Sequence, residues 1–438
     1  MLVRTLSIYL LGVFSLGLLS ISDAKAQTDI TIKGATEGFP IAIQRMCDKG
    51  SSEDYTRKIS EIITANLKLL DIFRIIPERS FVESPGKCLA PNEIAFTDWT
   101  VIGAEGLVRG DIKKVGLWGD VFEAELFLLD VTQKKPVFGR RYRFGPTDYQ
   151  RVANRFSNEI VAYFTGEKGL FGSKIAFVGG VGRFRELFTV EFGSNEPRQL
   201  TSHKGLIFSP AWTKEGNALS FTSYKTRMPE LYMLNFGEEE SIDQITNGVG
   251  IPIGAKPINN GSMFISGLSN AGSTNLVAIS REGRVVRKLT ARGGIDVSPS
   301  PSPDGGRIAF CSDQSGGPQI YVMGSDGSGR QRVSFTNSNY CTSPNWSPKG
   351  DKIVFICRNQ GNQVYVLDLS TKQSTQVTFS GNNEDPVWSP DGGFIMYSSG
   401  FGQRGGRSLS VLSLRTLSSR VLISGMDARQ PSWTAGPD

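Results

Sequence analysis

A short phrase built around Trp-Ser-Pro recurs through the C-terminal half of this 438-residue chain. It reads Pro-Asn-Trp-Ser-Pro-Lys-Gly at 344–350 and Pro-Val-Trp-Ser-Pro-Asp-Gly at 386–392, with a close copy at 299–305. Looser copies occupy 210–216 and 256–261. The final glycines of the five copies are 45, 44, 45 and 42 residues apart. This spacing is the repeat length of a β-propeller blade.

Each copy is followed by runs of β-branched and aromatic residues that indicate further strands. After the copy that ends at residue 350, these runs cover 352–357 and 364–367, and a short polar-apolar strand ends at Val377-Thr378. Turns rich in Gly, Asp and Asn separate the runs, so each repeat contains four strands. The Ser-Pro-Asp-Gly element suits the turn between strands one and two, because proline presets φ and glycine accepts a positive φ.

A sixth repeat is split between the two ends of the array. Residues 174–201 hold three strands of a repeat, but nothing resembling Pro-x-Trp precedes them. The missing phrase is Gln-Pro-Ser-Trp-Thr at 430–434, where Trp433 follows Trp388 by 45 residues. The sequence therefore predicts a six-bladed β-propeller over 174–438. A C-terminal strand completes the first blade, which closes the ring and removes exposed sheet edges.

Residues 27–165 contain no repeat and mix helical with strand patterns. Amphipathic helices are predicted over 54–70 and 149–164. The predicted strands cover 73–77, 105–111, 121–129 and 137–142. A small N-terminal α/β domain results, and a short glycine-rich linker at 166–173 joins it to the propeller. The predicted fold class is therefore multi-domain, an α/β domain followed by an all-β propeller.

The first 26 residues have the pattern of a secretory signal peptide. Arg4 precedes an apolar run over 6–19, and Ala-Lys-Ala at 24–26 fits an A-x-A cleavage site, so cleavage is expected between Ala26 and Gln27. The alternative is an N-terminal membrane anchor, but the run is short and is broken by Ser and Gly. The mature chain is expected to be soluble outside the cytoplasm.

Five cysteines in an oxidising compartment permit two disulfides and leave one odd thiol. If the turn at 348–351 folds back, Cys341 lies nearly opposite Cys357, and the two could bridge within one blade. Cys47 and Cys88 are the other candidate pair, in the α/β domain. Cys311 would then be the free thiol.

These features together resemble the TolB family, periplasmic components of the Tol-Pal cell-envelope system of Gram-negative bacteria. The resemblance covers essentially the whole mature chain. It depends on the join at 165–178, on the segment Ser-Asp-Gln-Ser-Gly-Gly-Pro-Gln-Ile-Tyr-Val at 312–322 and on the repeated Trp-Ser-Pro phrase. It implies a monomeric, non-enzymatic periplasmic adaptor without a cofactor, which supports outer-membrane integrity and constriction during cell division.

The resemblance also implies two partners. The propeller would bind a Pal-like peptidoglycan-associated lipoprotein at one mouth of its channel, which would make the protein peripheral to the outer membrane. A mobile N-terminal segment at 27–33 would bind TolA, and its alternating Ile30 and Ile32 suit β-strand addition. The alternative is an ordinary edge strand of the α/β domain. The segment consists of Gln27, Thr28, Asp29, Ile30, Thr31, Ile32 and Lys33.

In each blade, the loop that enters the innermost strand lies at one mouth of the channel. The six predicted loops cover 202–208, 247–255, 291–298, 336–343, 380–385 and 425–430. Their mixed charges and one aromatic residue suit a hydrogen-bonded protein interface. The candidate contact residues are His203, Lys204, Arg292, Asp296, Asn339, Tyr340, Asn382, Glu384, Asp385 and Arg429. The alternative is a set of solvated loops with no partner.

Enzymatic interpretations have little support in the sequence. His203 is the only histidine, and no G-x-S-x-G nucleophile motif occurs. The remaining alternative is a secreted propeller enzyme, or a peptidase-associated propeller, with chemistry in the central channel, for which Asp296, Glu384 and Asp385 are the candidate acids. No metal site is predicted because the cysteine spacings match no zinc pattern. No nucleic-acid partner is predicted because the 48 basic residues are scattered among 42 acidic ones.

Overall fold

The computed structural model describes residues 38–50, 54–115, 120–180, 183–194, 196–270, 272–291, 293–400 and 406–435. Within these ranges, an α/β domain precedes six four-stranded sheets, so the predicted fold class is confirmed. The predicted signal peptide at 1–26 and the predicted TolA-binding segment at 27–33 lie outside the described residues. Among the residues that are described, no helix is long and apolar enough to cross a membrane.

The α/β domain contains a mixed sheet and two long helices. Its strands are β1 (Phe39–Ile43), β2 (Cys47–Asp48), β3 (Phe73–Ile75), β4 (Gly106–Lys114), β5 (Phe122–Asp130) and β6 (Lys135–Phe144). Its helices are α1 (Tyr55–Leu69), α2 (Phe96–Val101) and α3 (Tyr149–Thr165). The sheet has the order β3-β1-β4-β5-β6, and the short β2 also pairs with β4. Strand β1 is parallel to β3 and β4, whereas β4, β5 and β6 form antiparallel pairs.

Helices α1 and α3 pack together on one face of this sheet. Ile59, Ile63 and Leu67 recur every four residues along α1 and are fully buried, which is why this segment forms a helix against the sheet. A buried polar contact also joins the two helices, since Asn66 donates to Asn154 at 2.9 Å. Helix α3 ends at Gly166, whose φ of +72° suits a left-handed helix cap.

The six sheets follow one another as propeller blades. Blade 1 contains β7 (Lys174–Gly179), β8 (Glu186–Glu191), β9 (Arg198–Gln199) and the last strand of the chain. Blade 2 contains β10 (Ile207–Trp212), β11 (Ala218–Thr226), β12 (Met228–Asn235) and β13 (Ser241–Gln244). Blade 3 contains β14 (Ile251–Ile258), β15 (Met263–Asn270), β16 (Ser273–Ser280) and β17 (Val285–Lys288).

The remaining blades have the same arrangement. Blade 4 contains β18 (Asp296–Pro301), β19 (Arg307–Ser312), β20 (Gln319–Gly324) and β21 (Gln331–Arg332). Blade 5 contains β22 (Cys341–Trp346), β23 (Lys352–Arg358), β24 (Asn362–Asp368) and β25 (Ser374–Gln376). Blade 6 contains β26 (Asn382–Trp388), β27 (Phe394–Gly400), β28 (Ser408–Ser413) and β29 (Ser419–Ile423). The last strand, β30 (Arg429–Thr434), pairs antiparallel with β7 and places Trp433 opposite Ile175. The predicted closure of the ring is therefore present.

Every innermost strand has a bulge at the same place, where one residue adopts a positive φ. The register of each innermost strand with the second strand of its blade shifts at this residue. The six residues are Ser209, Gly254, Ser298, Ser343, Asp385 and Gln430. In five of the blades a proline follows, and its missing N–H suits a position that leaves the hydrogen-bond ladder. This ring of bulges was not predicted from the sequence.

Side chains just beyond the bulges bond neighbouring blades to one another. Ser432 accepts the backbone N–H of Trp212 at 3.1 Å, and Ser300 accepts that of Trp346 at 2.9 Å. Asn345 in turn accepts the backbone N–H of Trp388 at 3.0 Å. The indole of Trp388 also donates to the Asn345 carbonyl at 3.0 Å, so this tryptophan joins blades 5 and 6 through its side chain as well.

The propeller has two unlike faces. The turn face carries the Ser-Pro-Asp-Gly turns between strands one and two, and the loop face carries the loops that lead into the innermost strands. The α/β domain packs at the turn face, where Asp71 accepts hydrogen bonds from Thr416 and Ser418 and pairs with Arg420 at 2.6 Å. Trp433 also donates to Ser173 at 2.8 Å. The loop face therefore points away from the α/β domain.

Two disulfides occur in the structure, and both are pairs named in the sequence analysis. Cys341 and Cys357 lie opposite one another in blade 5, with their Cα atoms 4.1 Å apart. Cys47 and Cys88 are joined in the α/β domain, with their Cα atoms 5.0 Å apart. Cys311 is free and buried.

Candidate functional site

Five of the six loops that lead into an innermost strand are fixed by a polar pair, which we call a loop anchor and which is buried in four cases and half-buried in the fifth. A Thr or Ser hydroxyl accepts a backbone N–H of the third strand and donates to a carboxylate or amide side chain. The pairs are Thr201–Glu186, Thr246–Glu230, Thr290–Asn275, Ser334–Gln319 and Thr378–Gln363. Because buried polar groups are costly when unpaired, each anchor favours one conformation of its loop.

The first loop anchor positions the two candidate residues of blade 2. The buried carboxylate of Glu186 accepts the backbone N–H groups of His203 at 3.0 Å and Lys204 at 2.7 Å. The imidazole of His203 contacts the Ser223 hydroxyl at 2.8 Å, and the Lys204 side chain is exposed. Burial, with help from the charge of Lys225, lowers the pKa of His203 below its ordinary value. This histidine is therefore a neutral group at the edge of the loop face.

Three of the other loop anchors differ in whether their side chain accepts a hydrogen bond from the loop backbone or donates one to it. Glu230 accepts the backbone N–H of Gly248 at 2.7 Å, as Glu186 does for its own loop. The amide anchors work in the opposite sense, because Gln319 donates to the Ser338 carbonyl at 3.2 Å and Gln363 donates to the Gly381 carbonyl at 3.1 Å. In these four anchors, the acid or amide therefore matches the backbone group that its loop presents.

A second group of candidate residues lies in the first residues of β26 and β30 rather than in loops. Glu384 pairs with Arg407 at 2.6 Å, and the same guanidinium donates to the Asn382 carbonyl at 3.0 Å. Arg429 pairs with Asp427 at 3.0 Å. These residues belong to one charged network at the mouth of the channel.

Asp385 adjoins this network at its bulge and differs from the other acids. Burial, and then repulsion by Glu384, raise the pKa of Asp385 to about 6. The positive charges of Arg407, Lys256 and Arg429 oppose this shift. Asp385 is half-buried at the bulge of β26, three residues into the innermost strand of blade 6.

The structure separates three further candidates from the network. Asp296 is fully buried at the start of β18 and pairs with Arg330 at 3.7 Å, so its side chain is not available at the surface. Asn339 is exposed, and the ring of Tyr340 lies under Arg358, whose guanidinium carbon is 4.1 Å from the ring centre. Arg292 lies outside the described residues. The three candidate acids of the enzymatic alternative are thus divided between blades 4 and 6.

The apolar part of the loop face was not predicted from the sequence. Phe335 and Phe379 each follow a loop anchor and are 68 % and 73 % exposed. Further exposed apolar residues on this face are Phe184, Leu206, Tyr224, Met228 and Ile295. The signal was present as an aromatic residue directly after the Val-Ser and Val-Thr strand ends of blades 4 and 5. Single exposed apolar residues are common on proteins, but several on one face indicate an interaction surface.

The loop face therefore presents fixed loops, exposed aromatic side chains and a charged network at the channel mouth. Such a combination suits non-covalent binding of a protein, in which apolar anchors lie among polar contacts. Among the described residues, no group of three or more His, Cys, Asp and Glu side chains could hold a metal ion.

Comparison with known protein families matches both parts of the chain. Residues 28–137 match the TolB amino-terminal domain, and residues 161–436 match the TolB β-propeller domain. The chain is also similar to a solved structure of TolB from Acinetobacter baumannii, with a TM-score of 0.80 and 23 % identity. That match covers 92 % of this chain and 97 % of the other, and it shows the shared fold.

Curated relatives agree with the domain matches. The Tol-Pal system protein TolB of Anaeromyxobacter dehalogenans strain 2CP-C is 33 % identical over 264 residues, which is 60 % of this chain and 59 % of the relative. The chain thus spans less than two thirds of that relative. The Tol-Pal system protein TolB of Bordetella parapertussis is 28 % identical over 423 residues, covering 94 % of this chain and 91 % of the relative. The chain belongs to the TolB family.

Proposed function

We propose that this protein is a non-enzymatic periplasmic adaptor of a Tol-Pal complex. Its loop face binds a Pal-like peptidoglycan-associated lipoprotein, and its N-terminal segment at 27–33 binds TolA. Residues 1–26 direct export and are removed between Ala26 and Gln27. Through Pal the monomer is peripheral to the outer membrane, and the complex supports outer-membrane integrity and constriction during cell division. The proposed domains are 27–165, the linker 166–173 and 174–438.

One observation carries the proposal for the loop face. The loop anchors hold the loops of this face in place, yet the side chains of Phe335 and Phe379 remain exposed on the loop face. Ordered loops lose little conformational entropy on binding, so apolar contacts there translate efficiently into affinity. The α/β domain packs on the opposite face and leaves this surface open to a partner.

The proposal for the N-terminal segment depends on its sequence and its place in the chain. Ile30 and Ile32 alternate with polar residues, as expected of a strand that presents one apolar side to a partner sheet. The segment precedes β1, which is an internal strand between β3 and β4. A segment that adds to a TolA sheet would therefore leave the pairing of β1 unchanged.

A binding experiment with matched variants tests both parts. Isothermal titration of the mature chain, residues 27–438, would use the soluble domain of a Pal-like lipoprotein and the C-terminal domain of TolA from the same organism. The Phe335→Ser/Phe379→Ser variant should lose at least about tenfold in affinity for Pal and keep TolA binding. Deletion of 27–33 should abolish TolA binding and leave the affinity for Pal unchanged.

Val286→Ser is the matched control, because Val286 is 55 % exposed on the outer strand of blade 3, away from the loop face. It should change neither affinity. If the mature chain binds neither protein, or if the control weakens Pal binding as much as the loop-face variant, the adaptor proposal is wrong.

A further inference from the structure

A cavity lies at the turn-face end of the channel, opposite the loop face. It has a volume of about 750 Å³ and extends from the turns inward to Lys256 on β14. Four tryptophans line it, namely Trp212, Trp346, Trp388 and Trp433. Prolines and small polar residues complete the wall. Cavities of this size are typical of ligand sites rather than of gaps in packing.

Lys256 is the charged group at the inner end of this cavity. It occupies the position that in the other blades is held by Ala211, Ser300, Asn345, Val387 or Ser432, so it is the one cation at this level of the described ring. It makes no hydrogen bond or ion pair with any residue that the structure describes. Lys256 is half-buried, and an ammonium group with reduced access to water is stabilised by an anionic partner.

Asp385 is the acid that faces Lys256 from the opposite blade, and its charge only partly compensates that of the lysine. Burial lowers the pKa of Lys256 even though the field of Asp385 acts to raise it. Burial and Glu384 raise the pKa of Asp385 to about 6, so it is mostly ionised at pH 7, but Arg407 and Arg429 interact with its charge as well as Lys256. Among the described residues the two groups form no ion pair, so the ammonium group of Lys256 can still pair with a closer anion.

We propose that the turn-face cavity binds the C-terminal carboxylate of a peptide chain, with Lys256 as the group that pairs with it. The volume exceeds what a bare anion needs, so the ligand must bring an uncharged body as well as a charge. Tryptophan and proline walls with interspersed Ser, Thr and Asn groups suit a peptide backbone and small side chains. At the rim, Lys214 and Glu215 offset each other, and the Asp304 carboxylate accepts the Ser302 hydroxyl and the Gly306 backbone N–H within its own turn. Lys256 is therefore the charged group at the inner end that can pair with the anion.

Intrinsic tryptophan fluorescence of the full mature chain tests this site, because four of the six tryptophans line the cavity. The probes are N-acetyl-alanyl-alanine as the free acid, its C-terminal amide, and acetate. The free acid should bind saturably and at least about tenfold more tightly than the amide or acetate. Lys256→Met should lower the affinity for the free acid by at least about tenfold. The affinity of Lys256→Arg for the free acid should stay within about threefold of the wild-type value.

Lys288→Met is the control, because Lys288 is exposed on the outer strand of blade 3. This substitution removes the same charge far from the cavity. Thermal unfolding of each variant shows whether the propeller is intact. Equal binding of acid and amide, equal binding of acetate and peptide, or unchanged binding by a folded Lys256→Met variant would each overturn the proposal. Pal binding at the loop face should be unaffected, so this test is independent of the adaptor function.

Discussion

The carboxylate of Glu186 accepts the backbone N–H of Lys204 at 2.7 Å, so a buried acid at the start of β8 fixes the loop that leads into the next blade. The same carboxylate accepts the Thr201 hydroxyl at 2.6 Å. Both oxygens of the carboxylate act as acceptors, Oε1 for Lys204 and Oε2 for Thr201, and an amide has only one such oxygen. The loop anchor of blade 1 is therefore specific for a carboxylate.

The first prediction follows from this requirement for two hydrogen-bond acceptors at residue 186. Glu186→Gln would place an amide N–H against a backbone N–H, and we expect the free energy of unfolding to fall by about 1–3 kcal/mol. Gln363→Glu should cost a similar amount, because its carboxylate would face the Gly381 carbonyl. Urea unfolding monitored by circular dichroism measures both. Loss of less than about 0.5 kcal/mol in either variant would contradict the anchor model.

The second prediction concerns the ring of bulges. Gly254 has a φ of +67°, and a Cβ atom there would lie 3.4 Å from the Cα atom of Ser298, so space exists for a small side chain. Gly254→Ser should lower the free energy of unfolding by only about 1 kcal/mol, because serine already occupies this position in three blades. Gly254→Val should cost more, because a β-branched residue is disfavoured at positive φ. Gly306→Ser, in an ordinary turn, is the control, and urea unfolding again gives the comparison.

The third prediction is about thiol reactivity. Burial raises the pKa of Cys311 to about 12, so the native protein should react very slowly with a thiol reagent such as DTNB at pH 8. Unfolding in guanidinium without reductant should expose one thiol per chain, and unfolding after reduction should expose five. Three or more thiols without reductant would mean that one of the two disulfides is absent.

Reduction should also destabilise blade 5. The Cys341–Cys357 pair is separated by 16 residues, and a crosslink of that span stabilises a protein by about 3 kcal/mol. Cys341→Ala/Cys357→Ala should therefore lower the urea midpoint without changing the propeller's circular dichroism. An unchanged midpoint would show that the disulfide has no structural role.

The fourth prediction is a pH dependence at the domain interface. Burial acts to raise the pKa of Asp71, but hydrogen bonds from Ser418 and Thr416 and the charge of Arg420 outweigh it, so the pKa is lowered. Stabilisation by Asp71 is thus present above its unfolded pKa of about 3.9 and is lost as the pH falls towards the folded value. Asp71→Asn should reduce stability by about 1–2 kcal/mol at pH 7. The difference from the wild type should shrink below about pH 4, as measured by urea unfolding.

The fifth prediction uses the single histidine. Because the pKa of His203 is lowered in the folded protein, the unfolded chain binds its proton first as the pH falls below about 6.5, and stability decreases there. An untagged protein should show one histidine Cε1 resonance by NMR, with a titration midpoint below 6.5. His203→Gln should remove the loss of stability between about pH 7 and 5.5. A midpoint above 6.5 would contradict the burial argument.

The repeat in the sequence predicted the blades and their closure because strand periodicity and turn chemistry are local. Helix α1 was also predicted to within a residue at each end from its apolar stripe. The bulges could not be predicted, since a positive φ at Ser209 or Gln430 depends on how six strands converge on one channel. Asp296 looked like a surface acid, but its partner Arg330 lies on a distant turn. Phe335 and Phe379 were not singled out from the sequence, because the exposure of an aromatic side chain after a strand end is visible only in the three-dimensional structure.

The closing of the ring by β30 has a consequence for how the chain reaches this structure. Trp433 bonds to Ser173, which is 260 residues earlier, so blade 1 remains a three-stranded sheet with an open inner edge until almost the whole chain has been synthesised. Contacts of such long sequence separation form slowly, and an unpaired strand edge invites aggregation in the meantime. A chain of this design gains from being kept unfolded until it is complete, and its assembly should be limited by the arrival of its final strand rather than by any single blade.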